Sequence, residues 1–324
     1  AYMLEGGLRV AAPDGSQARE LLPAGSGVQR FLWSPDGSRL VVEVERRLGP
    51  ARDPTEWGLW LVGADGSGLS LLHSAWDPHQ PYTTGSCLAS WSPDGAHLAF
   101  WRCGISPSFA ADGGHLLLVP AQGGEAKEVG RALFYPDFLS WSPDGKLLAF
   151  VDPSGRDTWG YFREGRPYGK QIKVAEAATG QVRDVTADPT RTHLYPSFSP
   201  DAKGIAYSSA PVVPYDRQYP KAEGAGARRI WAINTDGGGK RQLTDDPGYA
   251  DERPLWSRDG GYILFARRLA VEWEEKALKA ELWLMRADGS DKRRVAEGLD
   301  GGSPWFGYYG HINWDDLFAW HQGG

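Results

Sequence analysis

WSPDGSRLVVEV, from Trp33 to Val44, returns four times in altered form: WSPDGAHLAFWR from Trp91, WSPDGKLLAFVD from Trp141, FSPDAKGIAYSS from Phe198 and WSRDGGYILFAR from Trp256. The marker aromatics are 58, 50, 57 and 58 residues apart, and a further 58 lands on Trp314. There INWDDLFAW keeps an apolar run but has Asp315 and Asp316 in place of the turn. Each full phrase sets turn residues between two short apolar runs: Pro pre-sets φ at the second turn position and Gly supplies the positive φ that ends it. This is the signature of a β-hairpin. Met once, Ser34 and Asp36 would suggest a catalytic pair. Repeated at a fixed period they read as a turn, because chemistry needs its residues once and a scaffold needs them in every unit.

A second phrase alternates with the first. It reads GLRVAAPDGSQAREL from Gly7, GLWLVGADGSGLSLL from Gly58, HLLLVPAQGGEAKEV from His115, QIKVAEAATGQVRDV from Gln171, RIWAINTDGGGKRQL from Arg229 and ELWLMRADGSDKRRV from Glu281. Two hairpins per period make four strands, the size of a propeller blade. The pattern predicts an all-β, six-bladed β-propeller with four-stranded antiparallel blades, one domain over residues 1–324. Blades start near 31, 89, 139, 196 and 254, and the closing blade pairs the N-terminal hairpin, 4–22, with a C-terminal one, 311–320.

Composition supports a turn-rich chain with an aromatic core: 42 Gly, 23 Pro and 15 Trp among 324 residues. The net charge of −6, with no run of like charge long enough to form a nucleic-acid stripe, argues against nucleic acid as a partner. No stretch approaches the ~18 apolar residues of a membrane helix, so direct insertion is not expected. The chain starts at Ala1 without an initiator Met, which reads as a mature or excised product with a signal or an upstream anchor removed. Few Cys and Met also fit a thermophilic source. A monomer is expected.

The residues quoted resemble the TolB-type β-propeller, built from WD40-like (PD40) repeats whose hallmark is the W-S-P-D-G turn. DDPGYADERPLWSRDGGYILFARR, from Asp245 to Arg268, and LWLMRADGSDKRRVAEG, from Leu282 to Gly298, carry it best. The resemblance covers nearly the whole chain and implies a fold more firmly than a function. Relatives of this type include periplasmic binding proteins, peptidase propellers, oligogalacturonate lyases and sensor domains of membrane-anchored signalling proteins. The chain has no Gly-x-Ser-x-Gly elbow of the kind a peptidase hydrolase domain carries.

In a propeller, the turns within hairpins open on one face and the connections between hairpins on the other. Here the connections are long and rich in aromatics and His, as long functional loops are. The expectation is an extracytoplasmic, non-catalytic module that binds a protein, peptide or glycan on this long-loop face and at the channel mouth. The rival readings are a polysaccharide lyase or glycan-active enzyme using the same face, and a sensor domain. Candidate ligand-binding residues are Arg30, Trp76, His79, Tyr135, Phe138, Trp159, His193, Tyr195, Tyr249, Arg253, Trp305, Tyr308 and His311. Several of them, Arg30, Phe138, Tyr195, Arg253 and His311, stand three residues ahead of a marker aromatic. The scattered His residues do not have zinc spacing, and no catalytic residue is singled out. No cofactor is expected, except that Asp245, Asp246, Asp251 and Glu252 form the one acidic group suited to calcium. Cys87 and Cys103 flank the second WSPDG hairpin at facing or diagonal positions, within reach of a disulfide.

Overall fold

The computed structural model describes residues 1–47, 55–74, 83–104, 113–153, 161–163, 166–212, 226–270, 279–300 and 312–320. Their regular elements are β-strands and two short 3-10 turns. Five sheets have four antiparallel strands in chain order. They comprise β4 (Val28–Trp33), β5 (Arg39–Arg47), β6 (Thr55–Gly63) and β7 (Ser70–Ser74); then β8 (Thr83–Trp91), β9 (His97–Gly104), β10 (Gly114–Pro120) and β11 (Lys127–Ala132). The next sheet has β12 (Leu139–Trp141), β13 (Leu147–Asp152), β16 (Gln171–Glu176) and β17 (Val182–Asp184), with a separate hairpin β14 (Tyr161–Arg163) and β15 (Arg166–Tyr168) between its halves. The last two are β18 (Arg191–Phe198), β19 (Gly204–Pro211), β20 (Arg229–Asn234) and β21 (Arg241–Gln242), and β22 (Tyr249–Trp256), β23 (Tyr262–Leu269), β24 (Lys279–Arg286) and β25 (Arg293–Asp300). A first sheet, β1 (Tyr2–Leu4), β2 (Gly7–Val10) and β3 (Arg19–Leu22), has three strands among the described residues.

The chain divides into two compact units, Ala1–Phe109 with Gly114–Gly130, and Ala110–Gly113 with Arg131–Gly324. In the first, Val41, Leu59, Leu88, Phe100 and Leu117 form one buried cluster. In the second, Phe138, Ile172, Val174, Tyr195, Ile205, Tyr207 and Trp314 form another.

The recurring turn closes through one polar lock. Ser34 Oγ donates to Asp36 Oδ1 at 2.6 Å and accepts from the Arg39 N–H at 3.1 Å, while the Gly37 N–H donates to the Ser34 carbonyl. The lock recurs at Ser92–Asp94, Ser142–Asp144, Ser199–Asp201 and Ser257–Asp259, with Oγ–Oδ1 distances of 2.5–2.7 Å. All five serines are buried, so each hydroxyl needs these partners. Gly37 has φ 67°, and at the fourth turn Ala202 takes φ 58° without being glycine. The period is also written into contacts between sheets. Within the first unit, Trp91 Nε1 donates to the Leu32 carbonyl, and within the second, Trp256 Nε1 donates to the Ser197 carbonyl, each 59 residues back.

Two expectations need correction. Residues 312–320 hold a 3-10 turn at Trp314–Asp316 and no strand. Without Pro and Gly the sixth copy cannot close the hairpin, and its Trp donates to a buried carboxylate. The first strands begin at Val28, Thr83, Arg191 and Tyr249, upstream of the expected 31, 89, 196 and 254, because irregular pairing lets each run on past the repeat; only the start at Leu139 coincides.

Cys87 and Cys103 form a disulfide, with Cα atoms 5.8 Å apart. Cys87 pairs with Trp101 and Cys103 with Gly85, so the bridge runs diagonally across β8 and β9. It closes a short loop between buried positions. The double substitution Cys87→Ser/Cys103→Ser should lower unfolding free energy by about 3 kcal/mol in a denaturant titration without reductant.

The Ser34 hydroxyl, followed by the Ser38 N–H and hydroxyl, holds the Asp36 carboxyl down at about 2, and the same serine hydrogen bond lowers Asp144, Asp201 and Asp259. Their folded values lie below the unfolded value of ~4. The stabilisation is therefore complete above that value and is lost as pH falls through the folded one. Thermal unfolding should shift to lower temperature from pH 4 towards pH 2, and Asn at positions 36, 144 and 259 together should flatten that dependence.

Candidate functional site

Two first strands of the second unit bend three residues ahead of their marker aromatic. The β18–β19 register shifts between Leu194 and Ser197, and the β22–β23 register between Glu252 and Leu255. Tyr195 and Arg253 sit in these bulges with φ 55° and 53°, a left-handed backbone that large side chains rarely adopt. Bulges of this kind re-aim side chains, and here they aim at residues 312–318. The equivalent position in the third four-stranded sheet is Phe138, which ends a 3-10 turn, Pro136–Phe138, just before β12. Its ring lies 5.0 Å from that of Tyr195.

The Tyr195 hydroxyl donates to the Ile312 carbonyl at 3.2 Å and lies 3.4 Å from the Ile312 N–H, which donates back to it. Trp314 Nε1 donates to Glu252 Oε2 at 3.1 Å. Glu252 Oε2 also accepts from Arg228 at 2.8 Å, and Oε1 accepts from Arg268 Nη2 at 3.0 Å. Arg253 donates through Nε and Nη2 to Asp315 Oδ1, at 3.0 and 2.6 Å. Tyr195, Glu252, Arg228, Arg268 and Trp314 are buried, whereas the Arg253–Asp315 pair lies at the rim, its side chains 12% and 40% exposed. Burial pushes the Glu252 carboxyl up, but Arg228 and Arg268 outweigh it and hold the group ionised below its ordinary value. Burial raises Tyr195 far above the phenol range, so its hydroxyl stays protonated and able to donate. A groove of 270 Å³ continues from this corner along Ser197, Phe198, Arg253, Trp256, Asp315 and Phe318.

The other candidates are placed differently. Tyr135 is half-buried, its ring edge-on to Phe138. Tyr249 lines a second groove of 580 Å³ with Arg267, Leu269, Lys279 and Glu281, and its ring faces the Arg267 guanidinium at 4.9 Å. In the first unit, Arg30 donates to the Leu88 carbonyl, while Glu43 accepts from the Leu88 N–H. Trp76, His79, Trp159, Trp305, Tyr308 and His311 lie outside the described residues.

Of the candidate ligand-binding residues, His193, Phe138 and Tyr195 are fully buried. His193 stands edge-on to Tyr207 and burial pulls its pKa down to about 3, so it is neutral at physiological pH. The acidic group proposed for calcium is also split. Asp251 and Glu252 lie on β22 and pair with arginines, Asp251 bidentately with Arg267. Among the described residues no group of three or more His, Cys, Asp or Glu is placed to hold a metal ion. Sequence reasoning passed over Arg228, Arg268, Trp314 and Asp315. The available signal was that Asp315 breaks the repeat where every other copy has a turn.

No family model matches the chain. An uncharacterized peptidase of Bacillus subtilis, YuxL, is 28% identical over 167 residues, 50% of this chain and 22% of that protein. The Tol-Pal system protein TolB of Rhizorhabdus wittichii is 35% identical over 82 residues, 25% of this chain and 17% of that protein. The chain thus matches less than a quarter of the length of either. A puromycin hydrolase superposes with a TM-score of 0.55 at 15% identity, over 93% of this chain and 43% of that one. The fold is similar to that of TolB-type β-propellers. A dipeptidyl aminopeptidase IV-like structure from Bacteroides ovatus, at a TM-score of 0.53 and 11% identity, covers 91% of this chain and 46% of that chain. At such identities the superpositions speak for the fold alone.

Removing the charge of Glu252 leaves Arg228 and Arg268 without their shared carboxylate. Glu252→Gln should therefore cost about 3–5 kcal/mol of stability in chemical denaturation, while Glu297→Gln on the exposed end of β25 should be neutral.

Proposed function

We propose that the chain is a non-catalytic, extracytoplasmic binding module, a six-bladed propeller that recognises a segment of protein or peptide along the bulged edges of β18 and β22. The observation that carries this reading is the pair of non-glycine left-handed residues, Tyr195 and Arg253, at equivalent positions of two repeats. A position that only had to pair strands would not hold this backbone, and such outliers concentrate where side chains must be aimed. The groups presented match a peptide better than a sugar: a hydroxyl set to hold the N–H and the carbonyl of one residue's backbone, a carboxylate taking an indole N–H, and a guanidinium fork for a carboxylate.

The disulfide suits an oxidising compartment. No helix among the described residues is long and apolar enough to cross a membrane, in keeping with a protein that carries no helical span in this region.

A phage-displayed peptide library selected on the folded protein tests the reading. Enriched peptides should lose about 10-fold or more in affinity on Arg253→Ala. They should be unaffected by Lys203→Ala or Arg241→Ala, which lie in a 440 Å³ groove on the side of the serine turns. Peptides sensitive only to the latter pair would place binding on the opposite face and sink the proposal.

A further inference from the structure

We propose that residues 312–318 are an internal occupant of this peptide site, a tethered plug that an external ligand of similar chemistry must displace. The inference rests on the peptide-binding reading above. The segment meets β18 and β22 through side chains aimed at it, with Tyr195 on the Ile312 N–H and carbonyl, Glu252 on the Trp314 indole and Arg253 on the Asp315 carboxylate. Ile312 and Trp314 are buried among Phe138, Tyr195 and Ala266, in the manner of anchor residues filling a pocket.

What the segment lacks is a place in a sheet. Its backbone-to-backbone hydrogen bonds among the described residues are local: Trp314 N–H to Ile312, Asp316 N–H to Asn313, and Leu317 and Phe318 N–H to Trp314. It can leave without breaking a ladder bond, which no strand of the five four-stranded sheets can do. The opposed requirement, that leaving exposes two large apolar side chains, keeps it seated when no competitor is present.

The sequence change at this copy fits the same role. Where other repeats spend the residue after the aromatic on the turn lock, this one has Asp315, and that carboxylate is the partner of Arg253. The ligand class follows: a short turn-forming peptide with an aromatic residue followed by an acidic one. Occupancy of the site by the plug lowers the fraction of molecules competent to bind, and apparent affinity falls by that fraction.

The test uses the full chain throughout. A fluorescein-labelled peptide of sequence INWDDLFAW is titrated against wild type, Asp315→Arg and Trp314→Ala, with far-UV circular dichroism confirming that each is folded. Both variants should bind the peptide about 10-fold more tightly than wild type, and adding Arg253→Ala should remove the gain. Independently of any substitution, hydrogen exchange of wild type should show the Leu317 and Phe318 amides opening about 10-fold or more faster than the amides of β18. Equal protection of the two regions would make the segment integral core and overturn the plug. So would a folded Asp315→Arg protein that binds the peptide no better than wild type. If library-selected peptides depend on Arg253 yet bind Asp315→Arg and wild type alike, the plug falls while the peptide site stands. Failure of both the labelled and the selected peptides to bind any variant overturns both.

Discussion

A serine hydroxyl held between an aspartate carboxylate and a backbone amide five residues on is the contact from which the architecture follows. Its buried oxygen is satisfied only when the strands on either side of the turn meet in one register, so the lock sets the alternation of side chains along both. With that alternation set, two marker indoles reach the preceding repeat, Trp91 the Leu32 carbonyl and Trp256 the Ser197 carbonyl. A local polar contact thereby becomes a rule for stacking sheets within each unit.

The candidate site arises where this regularity is broken twice. The register shifts at Tyr195 and Arg253 turn two side chains out of the ladder pattern, and the sixth repeat gives up its turn and supplies Trp314 and Asp315. Each departure would be costly alone. A non-glycine residue in the left-handed region is strained by about 1–2 kcal/mol, and a buried carboxylate such as Glu252 is unfavourable without partners. Together they satisfy one another, because two guanidiniums and an indole N–H surround the carboxylate and the re-aimed side chains hold the segment.

Period, hairpins and the diagonal cysteine pair were legible because each is a local pattern: turn chemistry, strand alternation and two residues flanking one hairpin. The positions three ahead of the marker were legible as equivalent, and two of them, Tyr195 and Arg253, are the bulge residues. Their opposite fates were not. Tyr195 is buried with its hydroxyl on a backbone amide, Arg253 lies at the rim, and His193, chosen for its chemistry, is sealed against Tyr207.

By itself, then, the sequence determined the repeat, the turn that defines it and the all-β class, since these depend on residues within a few positions of one another. Only the tertiary structure decided that Asp251 and Glu252 answer arginines, and that Ile312 to Phe318 fold onto β18 and β22 instead of forming a strand. Those outcomes turn on which charges and apolar surfaces meet across separations of 16 to 117 residues. Burial there raises the worth of a matched partner and the penalty of a missing one, and no local pattern records either.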